Sequence, residues 1–199
     1  EVNHIDLLIN NAGIISPREQ FSEDGFELTM AVNHLGPLFL TKALQELLIG
    51  GQVINLASKA HFFCATKELF LDNNLQSHAP YSAFKTYARS KFANVLTSFY
   101  FANLHEGNIA SHCLHPGTIG TNIFPTHNWL SKALNRIWKT IGPSPSHGAK
   151  TTLHLALSDP RSLTTGQYWE NSKPVKASRD SYDRKLQKRL WERSAEMTG

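Results

Sequence analysis

Four short apolar runs separated by long stretches of helical periodicity limit the folds open to this chain more than any other feature. Ile5–Ile9 and Val53–Leu56 are brief, largely apolar and followed by Asn or small residues, as strands of a parallel sheet buried on both faces require. Ile109–Leu114 and Gly166–Trp169 read as two more. Between and after them, Ser22–Leu48, Pro80–Leu104, Ser146–Leu157 and Arg179–Ala195 carry helical spacing. Strands that alternate with helices join by right-handed crossovers, which predicts a single α/β domain over residues 1–199 with a doubly wound parallel sheet. At 199 residues and 41% hydrophobic content the chain can bury a sizeable core.

The second helical stretch holds Tyr87-Ala88-Arg89-Ser90-Lys91. Residues four apart share one helix face, with Cβ atoms roughly 5–6 Å apart. A phenol with an ordinary pKa near ~10 is protonated at neutral pH, and a fixed ammonium beside it favours the phenolate. Tyr87 is therefore a candidate proton donor or acceptor for an alcohol or carbonyl, with Lys91 as its cation. Tyr81 and Lys85 have the same spacing. Helical phase favours the first pair. At ~100° per residue, Phe84, Ala88, Phe92, Val95 and Phe99 form an apolar stripe with Tyr81 in its middle and Tyr87 and Lys91 on its edge.

Other segments end the predicted strands with chemistry-bearing residues. Ser58 follows Val53-Ile54-Asn55-Leu56-Ala57, so its hydroxyl emerges at the carboxyl edge of the sheet, where ligands bind in open α/β folds. Asn10-Asn11-Ala12-Gly13 closes the first strand with a turn, Gly13 allowing close backbone approach. Pro116-Gly117 ends the third. Asn33 lies four residues before Pro37, which has no N–H, so its carbonyl should lose its helical partner, stay free to hold a water, and the helix should kink. His112-Cys113-Leu114-His115 is the only histidine cluster resembling a metal site, but on a strand the two rings point to opposite faces, and no metal is expected.

Taken in order, Asn10-Asn11-Ala12-Gly13, Asn33, Ser58, Tyr-x-x-Ser-Lys-x-Ala-Asn at 87–94 and His-Pro-Gly-Thr at 115–118 resemble the short-chain dehydrogenase/reductase family, most of all its retinol-dehydrogenase-like branch. The resemblance implies a Rossmann-like fold with NAD or NADP as cofactor and interconversion of a hydrophobic alcohol with its aldehyde or ketone. It assigns proton transfer to Tyr87, lowering of the phenol pKa and binding of ribose hydroxyls to Lys91, orientation of the substrate oxygen to Ser58, and a water-linked proton relay to Asn33. Cofactor contacts would fall to Asn11, Ala12, Gly13, Tyr87, Lys91, Pro116, Gly117, Thr118 and Thr121. The family's glycine-rich first turn is not found, because no Gly-x-x-x-Gly-x-Gly occurs and the chain starts at Glu1. The expectation is the C-terminal part of such a sheet, without its first βαβ units, inactive by itself and with Ile5–Ile9 as an open edge that promotes association.

Residues 118–141 match the family's substrate lid. Trp129, Leu130, Ala133, Leu134, Ile137, Trp138 and Ile141 recur at helical spacing opposite Lys132, Arg136 and Lys139, which suits a retinoid, steroid or lipid-like substrate, packing on the domain, or contact with a membrane interface. A homodimer is a further partner the resemblance allows, and the link Phe62–Ala79 matches an insertion of the same branch. The net charge of +4 is spread out, and Arg184, Lys185, Lys188, Arg189 and Arg193 lack an aromatic stacking platform, so nucleic acid is not expected as a partner. Cys64 and Cys113 form no disulfide or metal spacing, which fits a cytoplasmic or endoplasmic-reticulum-associated protein. Two other classes compete with the oxidoreductase: a non-catalytic truncated isoform acting as a binding or scaffold product, and a sugar-nucleotide epimerase. The second fits less well, since Asn10–Gly13 resembles the short-chain rather than the extended group.

Overall fold

The computed structural model describes residues 2–69, 81–117 and 145–199. One five-stranded sheet in the order β1-β2-β3-β4-β5 organises them, with β1 Leu7–Asn10, β2 Gln52–Leu56, β3 Ala110–His115, β4 Gln167–Glu170 and β5 Lys173–Val175. The first four are mutually parallel, as strand–helix alternation predicts, and the architecture is Rossmann-like. β5 pairs antiparallel with β4. It lies in a stretch that reads from sequence as a polar connector, 171–178. Asn171 and Ser172 both adopt positive φ, 50° and 59°, which turns the chain through the tight two-residue hairpin that such residues favour. Pro174 is tolerated because β5 is an edge.

Helices cover both faces. On one side lie α1 (Leu28–Met30), α2 (Gly36–Leu44), α4 (Ala83–Leu104) and the terminal α6 (Arg184–Thr198); α5 (Pro145–Leu157) covers the other. Alternation along β2 shows the division: Val53 packs with Phe101 and Ile109, while Ile54 packs with Leu155 and Trp169. A short helix α3 (Thr66–Leu69) delivers Leu69 to the cluster formed by Met30, Phe92, Leu96 and Leu190. α4 is the central helix. Its burial extends around most of its circumference rather than along one stripe, and Phe84, placed on the apolar stripe by phase, is 52% exposed at the helix start.

Three boundaries move for physical reasons. The first long helix begins at Leu28 rather than Ser22, because Ser22 N–H bonds Phe26 O in a turn through Gly25 (φ 81°), and Glu27 then caps the helix at Met30 N–H. The kink expected from Pro37 takes the form of a π-helical turn over Ala31–Leu35 that joins α1 to α2, with Gly36 N–H bonding Ala31 O. The terminal helix starts at Arg184, where the Asp183 carboxylate accepts from the N–H groups of Lys185 and Leu186; Arg179–Tyr182 before it is a 3-10 turn. Its cations include surface pairs, Lys188 with Glu192 at 3.6 Å and Arg193 with Glu196 at 3.1 Å.

β1 forms one border of the sheet, and unlike β2 it is only half-buried, with Ile9 38% exposed. Where the two strands enter, Gly51 lies so close to the preceding chain that a Cβ would stand 2.6 Å from Ile5 O and 2.7 Å from Asp6 O. Both neighbours are backbone and cannot swing away. Gly51→Ala is therefore expected to destabilise the fold by roughly 2–3 kcal/mol through overpacking, read as a fall in the urea midpoint; an unchanged midpoint would show that β1 shifts freely against β2. Among the described residues no helix is long and apolar enough to cross a membrane.

Candidate functional site

Three strand ends and the middle of α4 meet at the carboxyl edge of the sheet. β2 leads through Ala57 to Ser58, whose extended backbone (φ −161°, ψ 157°) lets its hydroxyl oxygen accept from Ala60 N–H at 3.2 Å and cap the 3-10 turn Lys59–Phe63. The same side chain lies near enough to the Tyr87 phenol to favour its ionised form. Lys91, one turn further along α4, is only 4% exposed. Its Nζ donates to Leu56 O at 2.9 Å and lies 5.6 Å from the centroid of the Tyr87 ring.

Asn33 closes the site from the π-helical turn. Its side chain pairs with the backbone of Ile14 in both directions, Oδ1 accepting from Ile14 N–H at 2.7 Å and Nδ2 donating to Ile14 O at 2.9 Å. Nδ2 also reaches Ser90 Oγ at 3.0 Å, and that hydroxyl donates to Tyr87 O. One carboxamide thus fixes the loop after β1 against α4. That loop carries Asn11, Ala12 and Gly13, all exposed, and a Cβ on Gly13 would come within 3.3 Å of Lys91 Nζ and 3.4 Å of Asn33 Oδ1. Sequence reading leaves the Asn33 carbonyl free for water; in the structure it accepts from Asn94 Nδ2 at 2.9 Å. Asn94, one turn beyond Lys91 and facing the same carbonyls, is the ligand that the proline argument does not reveal.

Burial raises the Tyr87 phenol above the ordinary tyrosine range, and the Ser58 side chain pulls it part of the way back. Sequence spacing predicts that Lys91 lowers this value. Its ammonium lies over the ring and gives one donor to Leu56 O, and burial is the larger influence on the phenol in this geometry. Burial brings Lys91 itself down to about 8, which leaves it cationic at neutral pH. Tyr81, the rival tyrosine, precedes the helix: Ser82 is its N-cap. Its phenol donates to Ser16 O at 2.9 Å and approaches Glu27 Oε1 at 3.4 Å, an anchoring role for the loop before α1.

Pro116 and Gly117 end β3 at the same edge, Gly117 with φ 89°. Thr118, Thr121, the lid segment 118–141 and the residues 70–79 of the predicted link lie outside the described residues. His112 and His115 do point to opposite faces: His112 accepts from Trp169 Nε1 at 3.3 Å, while His115 feels Glu170, Lys59 and His61. No group of three metal-ligating side chains exists among the described residues, and Cys64 and Cys113 are not joined in a disulfide.

Burial also lowers the pKa of His34 and His112 to about 4 each. Such groups are neutral in the folded chain and protonate once it unfolds, so their stabilising contribution is whole above pH ~6.5 and is lost as pH falls through 4. Each pKa gap corresponds to on the order of 3 kcal/mol. Urea unfolding at stepped pH should therefore show stability dropping steeply between about pH 6.5 and 4; a flat profile across that window would contradict buried neutral rings.

A family model described as short chain dehydrogenase matches residues 1–67. Human polyprenol dehydrogenase is 31% identical over 207 residues, which cover 98% of this chain and 61% of that protein. Retinol dehydrogenase 12 of Mus musculus is 34% identical over 206 residues, covering 100% of this chain and 63% of the relative. Among solved structures, a Mycobacterium paratuberculosis protein superposes with a TM-score of 0.73 at 28% identity, covering 99% of this chain and 68% of the other. The chain thus spans about three fifths of the length of the curated relatives it matches.

Proposed function

The chain belongs to the short-chain dehydrogenase/reductase family, and from that premise we propose that it carries the proton-transfer half of an NAD- or NADP-dependent oxidoreductase for a hydrophobic alcohol and its aldehyde or ketone. The observation that carries this reading is the convergence at the sheet edge of Ser58, the Tyr87 phenol whose acidity the Ser58 side chain favours, and the Lys91 ammonium 5.6 Å from the tyrosine ring. An alcohol oxygen placed against both hydroxyls meets one group that exchanges a proton, Tyr87, and one that orients it, Ser58.

The residues at this edge fit a nicotinamide cofactor. Gly13 leaves open the space beside Lys91 Nζ that a Cβ would take, and an ammonium has three donors, of which Leu56 O uses one. Lys91 is left with donors for ribose hydroxyls, and Asn11, Ala12, Gly13, Pro116 and Gly117 are the backbone positions that would border the cofactor. When bound, NAD(P) supplies or accepts the hydride at the carbinol carbon. Tyr87 gives its phenol proton to the carbonyl oxygen during reduction; during oxidation it first releases that proton to solvent and then, as the phenolate, takes up the hydroxyl proton, so each turnover exchanges one proton with solvent. Asn33 holds Ser90 and the Ile14 loop in place around this exchange.

Retinol and polyprenol, in the relatives' names, are long isoprenoid alcohols. Phe62, Phe63 and Phe84, each at least half exposed, follow Ser58 and precede Tyr87, and the rings of Phe63 and Phe84 stand 5.7 Å apart. These rings support an apolar substrate of the same character. The test, made on the complete protein, is reduced-nicotinamide absorbance with NAD+ or NADP+ and a panel of retinol, a polyprenol, a steroid alcohol and ethanol. Turnover of an apolar alcohol, with ethanol a poor substrate, is the expected result. Cofactor binding without turnover of any alcohol would favour a non-catalytic binding product instead.

A further inference from the structure

Two histidines that the proposed chemistry does not use sit directly behind it, His61 and His34, 0% and 1% exposed. Their partners dictate which nitrogen carries the proton. His61 Nδ1 stands 2.6 Å from Ser58 O, which can only accept, so the hydrogen is on Nδ1. Its Nε2 faces the backbone N–H of Ser178 at 3.1 Å, which can only donate, so Nε2 is an unprotonated acceptor. For His34 the argument passes through Asn94. Asn94 Nδ2 donates to Asn33 O at 2.9 Å and to Leu56 O at 3.2 Å, which leaves Oδ1 as an acceptor, 3.3 Å from His34 Nδ1. His34 therefore also carries its hydrogen on Nδ1, and its Nε2 accepts from the Ser194 hydroxyl at 2.8 Å.

Both chains run in one direction. A group from the C-terminal segment donates to Nε2, and Nδ1–H donates toward the candidate site. His61 ends on the carbonyl of Ser58 itself. His34 ends, through Asn94, on the carbonyl of Asn33 and on Leu56 O, the acceptor that holds Lys91 Nζ. Ser178 precedes the 3-10 turn Arg179–Tyr182, and Ser194 lies within α6. We propose that His61 and His34 are positioning residues, neutral Nδ1–H imidazoles through which the C-terminal segment sets the places of Ser58 and Lys91. This rests on the oxidoreductase reading above.

The two halves of a histidine can be tested apart. Asparagine places an amide N–H near the position of Nδ1, whereas glutamine places its amide near Nε2. In the full-length enzyme with its cofactor, His61→Asn and His34→Asn should keep kcat within about threefold of the parent, while the glutamine variants lose about 10- to 100-fold in kcat through misplaced groups. Melting temperature is followed for each. Ser178→Pro is the second variant for His61: it deletes the N–H at a residue whose φ of −57° suits proline, so it frees Nε2 without touching the site and should lower kcat by the same small factor as His61→Asn, which loses the same link. Long-range 15N–1H NMR on histidine-labelled protein reads the tautomers independently of activity. Both rings should be neutral and Nδ1-protonated at pH ~7. Equal losses in the asparagine and glutamine variants, a loss in Ser178→Pro unlike that in His61→Asn, or an Nε2-protonated ring would each overturn the proposal while leaving the oxidoreductase reading intact. A parent enzyme with the stated tautomers and no alcohol turnover would instead bring down that reading, and the positioning role with it.

Discussion

Replacing Tyr87 with phenylalanine is expected to lower kcat by roughly 10³-fold, because the ring stays in place and only the transferable proton is removed. Its packing and its place beside Lys91 Nζ persist. The unfolding midpoint should barely move. Tyr81→Phe makes the control. That phenol anchors Ser16 O rather than the sheet edge, so its loss should cost about 1 kcal/mol of stability and leave most turnover. An inactive Tyr81→Phe beside an active Tyr87→Phe would mean that the proton passes through the other tyrosine and that the site is wrongly placed.

Lys91→Met should separate activity from stability. A buried cation whose pKa has fallen from 10.5 to about 8 carries a desolvation cost at neutral pH. The sign follows from linkage: native Lys91 resists protonation more than the unfolded chain does, so its contribution is intact above pH ~10.5 and is lost as pH falls through 8. At pH ~7 the penalty is fully present, and an apolar side chain of similar length avoids it. The variant should be more stable by on the order of 2 kcal/mol, since Asn94 still serves Leu56 O. Activity should move the other way. Losing the ammonium beside the ring and the donors left for ribose should reduce kcat/KM by roughly 10²-fold or more, weaken nicotinamide binding and shift the pH–rate profile to more alkaline values. Unchanged cofactor affinity together with an unchanged profile would remove Lys91 from the chemistry.

Much of this was legible because it is written in short-range pattern. Apolar runs of strand length between helical stretches dictate a parallel sheet whatever their side chains do later, since each buried backbone must find its hydrogen bonds in the neighbouring strand. Chain order then puts Ser58, Asn10–Gly13 and Pro116-Gly117 at one edge, because in parallel strands every carboxyl end points the same way. Tyr87 and Lys91 needed only the helical period. Even the irregular turn before α2 could be foreseen, since a proline without its N–H acts on residues a few positions away.

Other features depended on contacts that no local period encodes. Helical phase put Tyr81 on α4, but Ser82 caps the helix one residue later and the ring serves a loop sixty-five positions back. The carbonyl of Asn33 is answered by Asn94, 61 residues on, and His61 and His34 reach partners 117 and 160 residues away. β5 needed two non-glycine residues at positive φ, which a polar stretch does not announce. Sequence by itself determined the sheet, its direction and the residues gathered at its edge, because these follow from backbone hydrogen bonding and side-chain period. Tertiary structure alone decided how each is charged and held, because burial and hydrogen-bond partners are set by residues the chain brings back from far away.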